Sequence, residues 1–167
     1  MRLSKIQIIA AAFGLALASG AQAQMGGGMA PESSAPSMDA SVPYGAGVTA
    51  LRAGDFPTAI KELRKAYDIN SIDGNIPYAL GMAYAGAGKK PEAKKAFQGA
   101  VRSGNAPIPA YLQLGLVAIE LGDREAALKQ QAALEKKLAK CDAKCGDDEK
   151  AEIKAAVEQL QVKLATP

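Results

Sequence analysis

The feature that most constrains this chain is an internal repeat with a period of 34 residues. Gly47, Gly81 and Gly115 share that offset, as do Gly54, Gly88 and Gly122, and Ala59, Ala93 and Ala127. Further columns follow in the same register: Ala46, Leu80 and Leu114; Ala50, Tyr84 and Ala118; Leu63, Phe97 and Gln131; Ala66, Ala100 and Leu134. Alanine columns carry little weight in an Ala-rich chain, but glycine columns do. With 17 Gly among 167 residues, the chance that two further glycines align with a given first is about 0.01, and two such columns share one register. A period of this length marks an array of supersecondary units, each too small to bury its own apolar face and therefore stacked on its neighbours.

Each unit reads as a helical hairpin. Apolar residues make up 49% of the chain but aromatics only 5%, without a single Trp, so the contacts are made mostly by Ala, Leu, Ile and Val, which favours closely packed helices. The first helix carries a glycine midway, where a missing Cβ lets a partner helix approach. It ends at a second glycine, Gly54, Gly88 or Gly122, the usual residue just past a helix C-terminus. Asp55 and Asp123 follow as N-caps of the second helix, whereas Lys89 breaks the pattern. The second helix then aligns Ala59, Leu63 and Ala66 on one face, with Ala93, Phe97 and Ala100, then Ala127, Gln131 and Leu134, as their equivalents.

These residues resemble the tetratricopeptide repeat. The likeness rests on Leu80-Gly81 and Leu114-Gly115, on Tyr84, and on the segments from Gly54 to Ala59 and from Gly88 to Ala93, within roughly 40–139. Departures are Pro43, Pro77 and Tyr111 at the site of the family's Trp, a missing closing Pro, and Gln131 in place of an aromatic. The resemblance implies an all-α fold: a right-handed superhelical array of three hairpins, about 40–73, 74–107 and 108–141, spanning 43–140 as a domain. A capping helix follows within 141–167. From Asp147 to Ala165 the apolar stripe of Ala151, Ile153, Ala156, Val157, Leu160 and Leu164 supports that helix, because a solenoid must end on one with a wet outer face.

Residues 1–23 read as a cleaved secretory signal. Arg2 and Lys5 form its positive end, Ile6 to Ala18 its apolar stretch, and Ala21-Gln22-Ala23 the small-x-small cleavage pattern. The apolar stretch is shorter than the ~20 residues a span needs, so no stable membrane insertion is expected after signal removal. The leader resembles those of Gram-negative bacteria, which places the mature chain, starting at Gln24, in the periplasm. Residues 24–42, with Gly26 to Gly28 and clusters of Pro and Ser, read as a disordered linker. Its Met25, Met29 and Met38 could be imagined as a thioether site for Cu(I), but no His or Cys lies near them.

Catalysis finds little material here. The chain has no His, which excludes His-based triads and His-ligated metals. Its net charge is +3, two units of which are Arg2 and Lys5, so neither nucleic acid nor an acidic membrane is an expected partner. The carboxylates lie among lysines on helix faces, and Gly88-Lys89 lacks the Gly-rich turn of a phosphate loop. The expectation is a non-enzyme with no cofactor and no metal. Cys141 and Cys145 are expected to form a structural disulfide in an oxidising compartment. The alternative is a thiol-redox or metal-handling protein built on this pair, although two thiolates alone are too few for zinc.

What an array of this family offers is a concave face lined by first helices. The resemblance points to Tyr44, Val48, Leu51 and Arg52 in the first unit, Asn75, Tyr78 and Met82 in the second, and Leu112, Gln113, Leu116, Ile119 and Glu120 in the third. Family members that clamp a C-terminal carboxylate use Lys, Arg and Asn there, whereas these positions are mostly apolar. The expected partner is a peptide or protein segment with hydrophobic anchors. Self-association is a further possibility, with the groove taking the chain's own tail or a second copy. The cap helix could instead cover Leu112, Leu116 and Ile119.

Overall fold

The computed structural model describes residues 39–141 and 145–166. The leader, the linker as far as Met38, and with them Met25 and Met29, lie outside the described residues. Among the described residues there are seven α-helices and no strand: α1 Ser41–Arg52, α2 Phe56–Ile69, α3 Asn75–Gly86, α4 Lys90–Arg102, α5 Ile108–Glu120, α6 Arg124–Lys140 and α7 Asp147–Ala165. Helices α1–α2, α3–α4 and α5–α6 pair as three hairpins, each packs on the next, and α7 closes the array against both α5 and α6.

The same turn is built three times. Gly54, Gly88 and Gly122 have φ of 75°, 73° and 73°, a region that only a residue without Cβ enters cheaply. Each donates its N–H to the carbonyl three residues back (Leu51, Ala85, Ile119) at 2.9–3.1 Å. The following residue reaches the carbonyl five back (Ala50, Tyr84, Ala118) at 2.8–2.9 Å. These paired bonds satisfy carbonyls that the helix end leaves open. Asp55 then accepts the Thr58 N–H at 3.2 Å and Asp123 the Ala126 N–H at 3.0 Å, while Lys89 offers no such side-chain cap. Pro57, Pro91 and Pro109 stand second in their helices, where the N–H they lack has no intrahelical partner anyway.

The mid-helix glycines sit where helices touch. A Cβ on Gly47 would lie 2.6 Å from the Leu63 side chain, and one on Gly81 2.5 Å from the Phe97 ring. In both hairpins the second helix therefore packs its largest buried residue onto the first helix's bare backbone.

The third hairpin departs from the pattern. A Cβ on Gly115 would meet Leu160 of α7 at 2.6 Å, and Gln131, read as the α6 residue facing that helix, is turned outward to donate to Glu135 at 2.8 Å. The residues α6 buries are Ala127, Gln130 and Leu134. The one amide that α6 buries, Gln130, donates its Nε2–H to the Ala126 carbonyl at 3.2 Å, while the slot over Gly115 is filled by aliphatic Leu160 of the cap. Ala151 is corrected too: it is exposed, and α7 buries Ile153, Ala156, Val157, Leu160 and Leu164. Ser41 and Val42, read as the end of the linker, form the first turn of α1, whose start is fixed by Asp39 accepting the Ser41 N–H at 2.8 Å.

Neighbouring hairpins are joined by contacts of different chemistry. Between the second and third, Lys90 pairs with Glu120 at 3.2 Å and Lys94 pairs with Asp123. Between the first and second, the equivalent positions are Phe56 with Gly86 and Ile60 with Lys89. The Phe56 ring lies over Gly86, which has no Cβ to keep it away. Asn105, near the site of the family's closing Pro, accepts the Gly74 N–H at 2.9 Å and the Ser103 hydroxyl at 2.7 Å, tying the start of α3 to the end of α4.

Candidate functional site

The first helices place their groove candidates at helical spacing. Tyr44, Val48 and Leu51 recur at i, i+4 and i+7 on α1, Tyr78 and Met82 at i, i+4 on α3, and Leu112, Leu116 and Ile119 at i, i+4 and i+7 on α5. All eight are partly buried, the condition of a groove floor rather than of a core or an open surface. Gln113 is also partly buried, while Arg52, Asn75 and Glu120 are exposed. Asn75 is held by Asp73, which accepts both its backbone and side-chain N–H, and Glu120 is engaged by Lys90.

The cap helix divides this row. Leu112, Leu116 and Ile119 pack against the cluster that contains Ile153, Val157 and Leu160 of α7, and Ile119 also against Ala118, Ala127 and Leu164. The third unit's apolar face is thereby largely used in closing the array. On the first two units, Tyr44, Val48 and Leu51 rest on Leu63, Ala79 and Leu80, and Met82 rests on the cluster of Phe97, Leu114 and Val117.

Tyr78 stands at the junction of these regions. Its ring packs at 42° and 6.0 Å from that of Phe97, and it touches the core clusters of the second and third hairpins. Burial pushes its phenol pKa up, and the Glu152 carboxylate and Tyr44 push it further the same way, because a phenolate would be poorly solvated and beside a negative charge. Glu152 of α7 is thus a neighbour of the groove that sequence reading did not find. Only the docking of α7 brings it there, so no local pattern could have signalled it.

Cys141 and Cys145 lie at disulfide distance, with Cα atoms 5.1 Å apart. Cys141 is 2% exposed, ends α6 and packs with Leu134, Ile153 and Leu160, so the pair sits where α6 hands over to the cap. The exposed carboxylate of Glu149 joins the two sulfurs within a 4.8 Å group, the one cluster of metal-ligand type among the described residues. With the sulfurs bonded to one another, neither is a thiolate ligand.

Comparison with known proteins agrees with this architecture. The sequence profile of the tetratricopeptide repeat matches residues 108–133, all of α5, the turn after it and the first part of α6. The chain is similar in fold to the Sgt2 TPR domain from Aspergillus fumigatus, with a TM-score of 0.58 and 20% identity over 77% of this chain and 83% of that one. It is similar also to MamA, with a TM-score of 0.53 and 20% identity over 75% of this chain and 78% of that one. No curated protein matches its sequence. One tetratricopeptide repeat is thus matched within the third hairpin, and the described helices have the all-α fold of tetratricopeptide-repeat domains.

Proposed function

We propose that this protein is a non-catalytic periplasmic adaptor that holds an apolar-anchored segment of another protein on the first helices of its first two repeats. The observation that carries the reading is the half-buried row of Tyr44, Val48, Leu51 and Met82, which the cap helix leaves clear while it takes up Leu112, Leu116 and Ile119. One tyrosine and one methionine among aliphatic residues give such a floor a broad apolar contact, and a thioether adapts to irregular partners. Partners of this kind dock as an extended or helical peptide whose anchors follow the spacing of the floor. The location rests on the leader at residues 1–23, and N-terminal sequencing of protein from the periplasm should begin at Gln24. An intact Met1 on soluble protein would overturn it.

The groove is tested with Tyr44→Ala and Met82→Ala together, in a crosslinking pulldown from periplasmic extract. Interface anchors cost about 2 kcal/mol or more when truncated, roughly 30-fold in affinity. Partner capture should fall sharply relative to the unmodified protein, with the circular dichroism spectrum retained. Undiminished capture would remove the groove from these residues. Thiol titration addresses the rival role of the cysteines: a pair that resists a glutathione-strength reductant is structural.

A further inference from the structure

Neighbouring hairpins leave a cleft between their second helices, lined by none of the groove residues of the first two repeats, and the two clefts differ. The one between α2 and α4 is lined by Tyr67, Leu80, Lys95, Ala96 and Gly99, among others, and holds about 250 Å³. Between α4 and α6 the positions 34 residues on are Val101, Leu114, Lys129, Gln130 and Ala133, and the volume is about 570 Å³. Val101 leaves room where Tyr67 fills it, and a glutamine stands where the earlier repeat has an alanine.

That glutamine is the one buried polar side chain among the described residues, 6% exposed. Its Nε2 donates to the Ala126 carbonyl at 3.2 Å, which fixes the amide's orientation, since Oε1 in that place would repel the carbonyl. Oε1 and the second Nε2 hydrogen have no partner among the described residues. No fully buried side-chain polar atom there is left unpaired, so Oε1 opens onto the cleft that Gln130 lines. An amide buried where the preceding repeat carries alanine costs stability unless a ligand meets its free groups. Gln98 lines the same cleft and is half-buried. On the rim Arg102, Lys129 and Glu125 are exposed and outside any ion pair among the described residues, whereas Asp123 already holds Lys94.

We propose that the cleft between α4 and α6 is a second binding site, which takes a short extended peptide bearing a carboxylate side chain. A free acceptor and a free donor on one amide match the N–H and C=O of a single extended residue, which point to the same side of a strand. A helical ligand presents no such pair, because its backbone groups are bonded internally. From Asp123 to Ala133 the α6 wall runs ~15 Å at 1.5 Å per residue, room for about four or five extended residues at ~3.3 Å each. Val101, Leu114, Ala126 and Ala133 line it with apolar groups suited to small side chains. Lys129 and Arg102 offer the carboxylate two cations, and the guanidinium can meet both its oxygens. Glu125, one turn before Lys129, repels an acid at the other end. The site shares no residue with the Tyr44 and Met82 groove and is independent of it.

Titration of the isotopically labelled protein with acetyl-Ala-Ala-Glu-Ala-Ala-amide up to ~10 mM, followed by NMR, tests this. Saturable shifts are expected at Val101, Ala126, Gln130 and Ala133, and none at Tyr44 or Met82. Gln130→Ala should weaken binding at least ~5-fold, the scale of one or two neutral hydrogen bonds. Its melting temperature should hold, since Ala96 serves the preceding repeat at the same position. Lys129→Glu should weaken binding by a similar factor, and the analogue with Gln in place of Glu should be indifferent to that change. The peptide N-methylated at every backbone amide should not bind, and because it is offered to the parent protein this result holds whatever the stability of the variants. Absence of saturable shifts, or shifts confined to Tyr44 and Met82, overturns the proposal. So does binding that survives Gln130→Ala, Lys129→Glu or N-methylation of the peptide.

Discussion

The two junctions between hairpins solve one problem with opposite chemistry. At the first, the Phe56 ring lies over Gly86; at the second, the same two positions hold the Lys90–Glu120 ion pair. Beside them Ile60 and Lys89 are matched by Lys94 and Asp123, the second of these pairs again ionic. Repeat geometry fixes where neighbours meet but leaves open what meets there. An apolar contact draws on area removed from water and is indifferent to salt, whereas a half-exposed ion pair is screened and worth little by itself. The first junction is therefore the more robust, and the second the more responsive to solution conditions.

The largest expected effect concerns the third place where the repeats diverge, the cap. Leu160→Ala should destabilise the domain by about 2–5 kcal/mol in denaturant unfolding, since it empties the slot over Gly115. Gln131→Ala, the residue that the repeat pattern alone would put there, should change stability by no more than about 0.5 kcal/mol. Equal effects would show that α6 and α7 share the slot. Next comes Gly81→Val, whose Cβ runs into Phe97. Overpacking costs about 1–3 kcal/mol, and the gain in helix propensity returns under about 1 kcal/mol, so the melting temperature should fall. A rise would mean the two helices are not in close contact at that point.

Smaller effects separate the junctions themselves. Phe56→Ala should cost about 1–2 kcal/mol at low and high salt alike, for loss of a half-buried aromatic. Lys90→Ala and Lys94→Ala should each cost under about 1 kcal/mol at low salt and nothing measurable in 1 M NaCl. A salt-dependent Phe56 effect would erase the distinction.

The smallest effect is on acid sensitivity. Asp123 is held below the usual carboxylate range, first by Lys94 and then by the Ala126 N–H. A carboxylate lowered by folding stabilises above its unfolded pKa of ~3.9 and loses that contribution as pH falls through the lowered folded value. Asp55, the matching turn residue of the first hairpin, is lowered in the same direction by Thr58 alone, with no lysine of a preceding hairpin to add to it. Asp123→Asn should therefore reduce the loss of melting temperature between neutral pH and pH 3 more than Asp55→Asn does. The reverse order would show that the Lys94 contact adds nothing to acid sensitivity beyond the turn's own cap.

Much of the array was legible beforehand because its signals are local and repeated. A glycine at φ near 75° and an aspartate accepting an N–H three residues on are backbone requirements that recur at fixed spacing, so they show in any single unit. The groove candidates were legible as positions on first helices, again a matter of periodicity. Their state was not. Whether Leu116 is groove or core depends on α7, which begins 31 residues later in the chain, and Glu152 beside Tyr78 depends on the same docking. Gln131 shows the limit from the other side: the repeat register pointed it inward, but Leu160 of α7 fills the slot over Gly115 and Gln131 turns out to Glu135.

By itself, then, the sequence determined the period, the helix ends, the three hairpins and the apolar faces of α2 and α4, because propensity and capping act within a few residues. The tertiary structure alone decided which residue fills the slot over Gly115, how much of the concave face the cap consumes, and which charges meet between hairpins. Those outcomes depend on side-chain volume and desolvation between segments far apart in the chain, where a one-dimensional pattern has no register to read.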